Sequence, residues 1–232
     1  MAKGNKTDQK MTSNPRRRVV LTGLPGAGHE LIGWSLDRFF QSKTGVSTSP
    51  AVDFEIHTLS PVSPKQELEK ISADVFIYMS RNCLTEAEKL YPDWLQLGSI
   101  LDAPIAMSPE KDELQLPELE CFLSAWRDCA LLADKGFMEI GARKTPVISV
   151  RFEDILFSRD VFLALFRAFA PDTQEDQAFI EAYRAVSLSA EAVNRQQPNL
   201  IWRRWSQARR VLFESTVAES MNVLGYEAPN GE

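Results

Sequence analysis

The chain has 232 residues, 44% hydrophobic and 25% charged, a composition that suits one globular α/β domain with a sizeable core. Its formal charge is −6 although Lys3, Lys6, Lys10, Arg16, Arg17 and Arg18 face only Asp8 in the first eighteen positions, so the body is acidic and a general nucleic-acid surface is excluded. No apolar run nears the roughly 18 residues of a membrane span, residues 1–18 lack the apolar core of a signal peptide, and Cys83, Cys121 and Cys129 lack the C-x-x-C spacing of a zinc site.

These features predict a cytoplasmic protein with reduced thiols, no membrane partner and no metal, and they set no oligomeric state. Residues 1–17 read as a disordered basic tail, polar and without periodicity, and 18–232 as a single domain.

The organising stretch runs from Arg16 to Phe40, RRRVVLTGLPGAGHELIGWSLDRFF. Val19, Val20 and Leu21 predict a short buried strand; Gly23, Pro25, Gly26 and Gly28 a tight turn; and Leu31, Ile32, Leu36, Phe39 and Phe40 an amphipathic helix. Backbone N–H groups in such a turn, with the positive end of the helix dipole behind them, attract an anion without needing a basic side chain. Gly23 to Gly28 fits the frame of a Walker A loop, but His29 stands where Lys belongs and Glu30 where Ser or Thr belongs. The plain alternative is a strand-to-helix turn of any α/β protein.

Val52 to Leu59 alternates like a strand and carries His57 near its end, and a short helix is predicted from Lys65. Asp74 to Met79, DVFIYM, is apolar enough for an inner parallel strand and delivers Ser80, Arg81 and Asn82 to its C-terminal edge. Thr85 to Leu97 has helical spacing with a Thr85/Glu88 capping box, and Ile100 to Pro117, with three prolines, reads as a surface loop. A long helix from Glu118 to Phe137, turning Phe122, Ala125, Trp126, Cys129 and Leu132 inward, leads to a fourth strand, Pro146 to Phe152, followed by Glu153 and Asp154. The rest is predicted helical: Val161 to Phe169, Asp176 to Val186, and one amphipathic helix from Leu200 to Leu224. The five tryptophans, Trp34, Trp94, Trp126, Trp202 and Trp205, fit apolar stripes and are assigned mostly to the core.

Alternating strands and helices predict an α/β fold, a parallel central sheet flanked by helices, P-loop-like, with a helical C-terminal region. In such sheets ligands bind beyond the C-terminal strand edges, where the glycine turn, His57, Arg81 and Glu153 all fall.

Four segments in this order resemble the sulfotransferases that use 3′-phosphoadenosine 5′-phosphosulfate (PAPS). VVLTGLPGAGHELI resembles their 5′-phosphosulfate loop, with Pro25 and Gly28 matching; IHTLSP their T-H-L-P segment; VFIYMSRN the strand ending in the 3′-phosphate Arg; and VISVRFEDIL their fourth strand with its acidic pair. The resemblance implies PAPS as co-substrate, without a metal, and sulfuryl transfer to a hydroxyl or amine of a small molecule or glycan. It implies His57 as catalytic base, with His29 as an auxiliary donor, and a donor site built from Gly23, Pro25, Gly26, Ala27, Gly28, His29, Glu30, Arg81 and Lys89. It also implies that a basic C-terminal segment, here Arg195 and Arg203, reaches the 3′-phosphate; Glu153 and Asp154 themselves read as structural, pairing with basic groups or capping the helix that follows, with Glu153 the fallback base. The chain departs from the pattern at Gly26, where the loop has Lys or Arg, at Ala27 for Ser, at His29 and Glu30 for two Thr, and at Lys89 for Ser. Two alternatives stand beside this one: a P-loop nucleotide or small-molecule kinase, and a catalytically impaired binding protein of the same fold.

Overall fold

The computed structural model describes residues 17–43, 52–60, 63–89, 116–169, 171–194, 198–227 and 229. Positions 1–16 of the predicted tail, positions 100–115 of the predicted Ile100 to Pro117 loop, Trp94, Arg195 and the second half of the helix expected to reach Leu97 lie outside the described residues, while Arg17 already belongs to the first strand and Leu116 and Pro117 to the long helix after the loop.

Four parallel strands form the sheet: β1 (Arg17–Gly23), β2 (Val52–Thr58), β3 (Val75–Ser80) and β4 (Val147–Arg151), in the order β2-β1-β3-β4. The inner strands β1 and β3 are apolar on both faces because both are covered. Val20, Phe76 and Tyr78 point into one hydrophobic cluster, and Val19, Leu21, Val75, Ile77 and Met79 into the other. The first cluster is closed by α4 (Leu116–Ala142) and by two helices near the C-terminus, α8 (Pro198–Arg204) and α9 (Gln207–Val223). The second is closed by α1 (His29–Lys43), α5 (Phe152–Phe157), α6 (Arg159–Phe169) and α7 (Gln177–Asn194). Two short helices complete the described chain, α2 (Pro64–Leu68) after β2 and α3 (Cys83–Lys89) after β3.

The helix expected from Leu200 to Leu224 is two helices. Ser206 accepts a hydrogen bond from the Arg209 N–H at 3.4 Å and caps α9, while the preceding Trp205 turns into the core. Likewise α3 starts at Cys83, because Asn82 caps it: its side chain accepts from the Leu84 N–H at 3.0 Å and its carbonyl from Thr85 at 3.0 Å, so the Thr85 capping box is not used. Trp34 is 66% exposed, standing off the Ile32, Leu36, Phe39 and Phe40 stripe of α1, and Leu132 is exposed because the buried stripe of α4 continues through Ala133, Gly136 and Phe137. Trp126, Trp202 and Trp205 are buried as expected.

Candidate functional site

Parallel strands end together, so the C-terminal ends of β1, β2 and β3 bring their following residues to one edge. In register, Thr22 lies beside His57 on one side and Tyr78 on the other, and Gly23 beside Thr58 and Met79. Leu24 to Gly28 forms the turn above this edge, closed by the Ala27 N–H donating to the Leu24 carbonyl at 3.0 Å. Gly26 and Gly28 adopt φ of 78° and 85°, the left-handed region that favours glycine. A Cβ on Gly28 would stand 2.2 Å from Cε2 of the Phe152 ring, so that ring lies directly against the turn. As at every helix start, the first-turn N–H groups of α1 have no carbonyl four residues back.

His29 opens α1 and is buried, 2% exposed. Its Nε2 shares a hydrogen bond with Thr58 Oγ1 at 2.9 Å, and burial, with His57 contributing second, holds its pKa down to about 4. It is therefore a neutral imidazole at pH 7 and brings no charge to the loop. Glu30 is exposed, an acid favoured by the dipole in the first turn of α1.

His57, at the end of β2, is about one-third exposed, and its Nε2 is enclosed without a hydrogen bond among the described residues, 3.8 Å from Glu67 Oε2. Glu67 is fixed by the Ser60 N–H, which donates to the same oxygen at 2.6 Å. Arg81, one residue beyond β3, is 7% exposed. Its Nη1 donates to the Gly26 carbonyl at 3.0 Å and its guanidinium lies 5.1 Å from the centroid of the Phe152 ring, while Nε and Nη2 have no partner among the described residues. Lys89 is the last residue of α3, and its side chain lies outside the described residues.

The acidic pair after β4 is engaged structurally. Glu153 accepts from the Asn82 N–H and from the Tyr226 hydroxyl, both at 2.9 Å, and Asp154 pairs with Arg151 at 2.7 Å. Arg151 also donates to the Gly225 carbonyl and lies over the Tyr226 ring, so the C-terminal segment is latched to the sheet edge. A cleft of about 460 Å³ opens there, bordered by Asn82, Arg151, Glu153, Phe157, Asn199 and Tyr226. Arg203 is exposed at the end of α8, and its carbonyl accepts from Arg210.

The site thus gathers Gly23 to Glu30, His57 and Arg81 at one edge. Sequence reasoning missed Thr22, Thr58, Glu67, Phe152 and Tyr226, of which Phe152 was visible as the apolar residue joining strand to acidic pair. It also missed Glu86 in the first turn of α3, 1% exposed, which accepts from Trp126 Nε1 at 2.6 Å and whose carboxyl burial raises to about 8. Among the described residues no cluster of His, Cys, Asp or Glu could hold a metal ion, and no helix is long and apolar enough to cross a membrane.

The fold has a counterpart among known structures. The chain is similar in fold to mouse sulfotransferase SULT7A1, solved as a complex with PAP, with a TM-score of 0.53 and 15% identity over 91% of this chain and 87% of that one. It shares the sulfotransferase fold. At that identity the likeness is one of fold alone, here a parallel four-stranded sheet flanked by helices. No protein-family model matches the sequence, and no curated protein matches it.

Proposed function

We propose that this protein binds PAPS at the β1–α1 turn and transfers its sulfuryl group to a hydroxyl or amine of a small molecule or glycan. One observation carries the proposal. The buried side-chain polar atoms without a hydrogen-bond partner among the described residues are Thr22 Oγ1, His29 Nδ1, His57 Nε2 and the Nε and Nη2 of Arg81, and all belong to residues around this one turn. Buried polar groups are almost always satisfied, so such a concentration marks where a polar ligand makes the contacts. A ligand with an anionic end suits it, since Arg81 and the α1 dipole supply positive potential and burial keeps the nearby Glu86 carboxyl mainly protonated at neutral pH.

PAPS bound there would supply an activated sulfuryl group. The N–H groups of Gly26 and of Gly28 to Glu30 would orient its anionic oxygens, Arg81 would neutralise charge, and the cleft beside Asn82 would take the nucleoside. His57 would accept the proton of the incoming nucleophile, with Glu67, 3.8 Å from Nε2, stabilising the imidazolium that forms. A cytoplasmic setting goes with this chemistry and with the free thiols of Cys83, Cys121 and Cys129.

A second reading, binding without turnover, is favoured by the loop itself: Gly26 has no side chain where a cation would sit and His29 is neutral. A thermal-shift titration with PAP and with ATP plus magnesium, followed by assay of PAPS consumption over an acceptor library, decides among these. Stabilisation by PAP together with consumption of PAPS supports transfer, and stabilisation by PAP alone supports the binding role. Stabilisation by ATP with magnesium and none by PAP would refute both and favour a kinase.

A further inference from the structure

Gly26 occupies the place where the resembled loop carries Lys or Arg, yet a cation stands there. Arg81 reaches it from the adjacent strand, with Nη1 on the Gly26 carbonyl at 3.0 Å. Its guanidinium lies over the Phe152 ring, 5.1 Å from the centroid, and the same ring lies against Gly28, so Arg81, Phe152 and the crown of the turn form one wall. With Nη1 engaged, the Nε and Nη2 donors remain, and these form the side-on edge of the guanidinium, two parallel N–H groups spaced to meet two oxygens of one anion. Among the described residues no carboxylate closes that edge. Glu153 gives its oxygens to Asn82 and Tyr226, Asp154 is paired with Arg151, and Glu86, which Arg81 influences, is mainly protonated at neutral pH.

Resting on the function proposed above, we infer that Arg81 supplies from β3 the charge that the β1–α1 turn lacks, and so holds the anion seated on that turn, the 5′ end of the nucleotide. This differs from the 3′-phosphate role that the resemblance implies. The distinction is physical. A residue bonded to the Gly26 carbonyl is anchored to the phosphate turn itself, and a contact there is shared by every nucleotide with a 5′-anion, with or without a 3′-phosphate.

The experiment is calorimetric titration of wild type and Arg81→Ala with PAP, adenosine 5′-monophosphate and adenosine 3′-monophosphate. Arg81→Ala is expected to weaken PAP and the 5′-monophosphate by the same factor, roughly tenfold or more for a charge-assisted pair. The ratio of their affinities should stay at the wild-type value, and the 3′-monophosphate should be unaffected. Arg81→Lys, which keeps the charge but not the fork, should show the same equal loss to a smaller extent, and it carries the comparison if circular dichroism finds Arg81→Ala unfolded. A variant that loses the preference for PAP over the 5′-monophosphate while binding the latter as wild type does would overturn the inference and leave the proposed function standing. A wild type that binds none of the three nucleotides would overturn the function and the inference together.

Discussion

Glu86→Gln isolates a buried acid whose protonation ties the fold to pH. Glu86 is fully enclosed in α3; burial raises its carboxyl from 4.5 to about 8, Arg81 and the Trp126 hydrogen bond pull it down, and Glu153 pushes it up. The folded chain therefore keeps a proton that the unfolded chain releases above pH 4.5. Stability from this group is fully present below that pH and is lost as pH rises through about 8. His29 has the opposite sign. Its folded pKa is lowered from 6.5 to about 4, so its contribution is fully present above pH 6.5 and is lost as pH falls through about 4. The two slopes oppose each other between pH 4.5 and 6.5, and above 6.5 Glu86 acts without that opposition. Over the remaining interval to pH 8, at ~1.4 kcal/mol per pH unit for one proton, wild type should lose about 2 kcal/mol. Gln keeps the shape and an acceptor for Trp126 but cannot ionise, so Glu86→Gln should show almost none of this loss. Urea unfolding of both proteins between pH 6.5 and 8 measures it directly. Parallel losses in the two proteins would refute the assignment and move the titration to another group.

Three further outcomes follow from the same geometry. His57→Ala should lower sulfuryl transfer by ~10²–10⁴ while the Kd for PAP, measured by calorimetry, stays at the wild-type value; an intact rate would remove His57 as the base. Gly28→Val forces a side chain into a backbone with φ of 85° and into the Phe152 ring, so thermal shift should show ~1–3 kcal/mol of destabilisation and no response to PAP. Tyr226→Phe deletes the hydroxyl that donates to Glu153 and lies 3.3 Å from Ser80 Oγ, which should cost ~1–2 kcal/mol in urea unfolding; an unmoved midpoint would mean that the C-terminal latch contributes nothing to stability.

The parts of the fold legible in the sequence are those set by burial. Val19 to Leu21 and Val75 to Met79 read as inner strands because helices cover both their faces, so that every position is apolar. The break between α8 and α9 was hidden because helical spacing continues across it. What ends the first helix is the inward turn of Trp205 and what starts the second is the hydroxyl of Ser206, and a serine in a polar stretch carries little weight by itself. The latch was hidden for a different reason. Tyr226 meets Glu153 and Ser80 across 73 and 146 positions, contacts that exist only once the C-terminal helices have returned the chain to the sheet edge.

The same contrast governs the site. Gly26 and Gly28 were readable because a tight turn in the left-handed region calls for glycine, and a turn of that kind before a helix attracts an anion whatever its side chains are. The charge at the turn was not readable, since it depends on which strand stands next to β1. In the order β2-β1-β3-β4, Gly23 is level with Met79, so Arg81 leaves its strand two residues further out, one strand spacing of about 4.8 Å to the side, within the reach of an arginine side chain. Had β4 been the neighbour instead, Arg151 would occupy that edge, and its guanidinium is already committed to Asp154 and the Gly225 carbonyl. Strand order thus decides whether a turn that carries no cation of its own can still present one to an anion, and here the inner pairing of β1 with β3 does so.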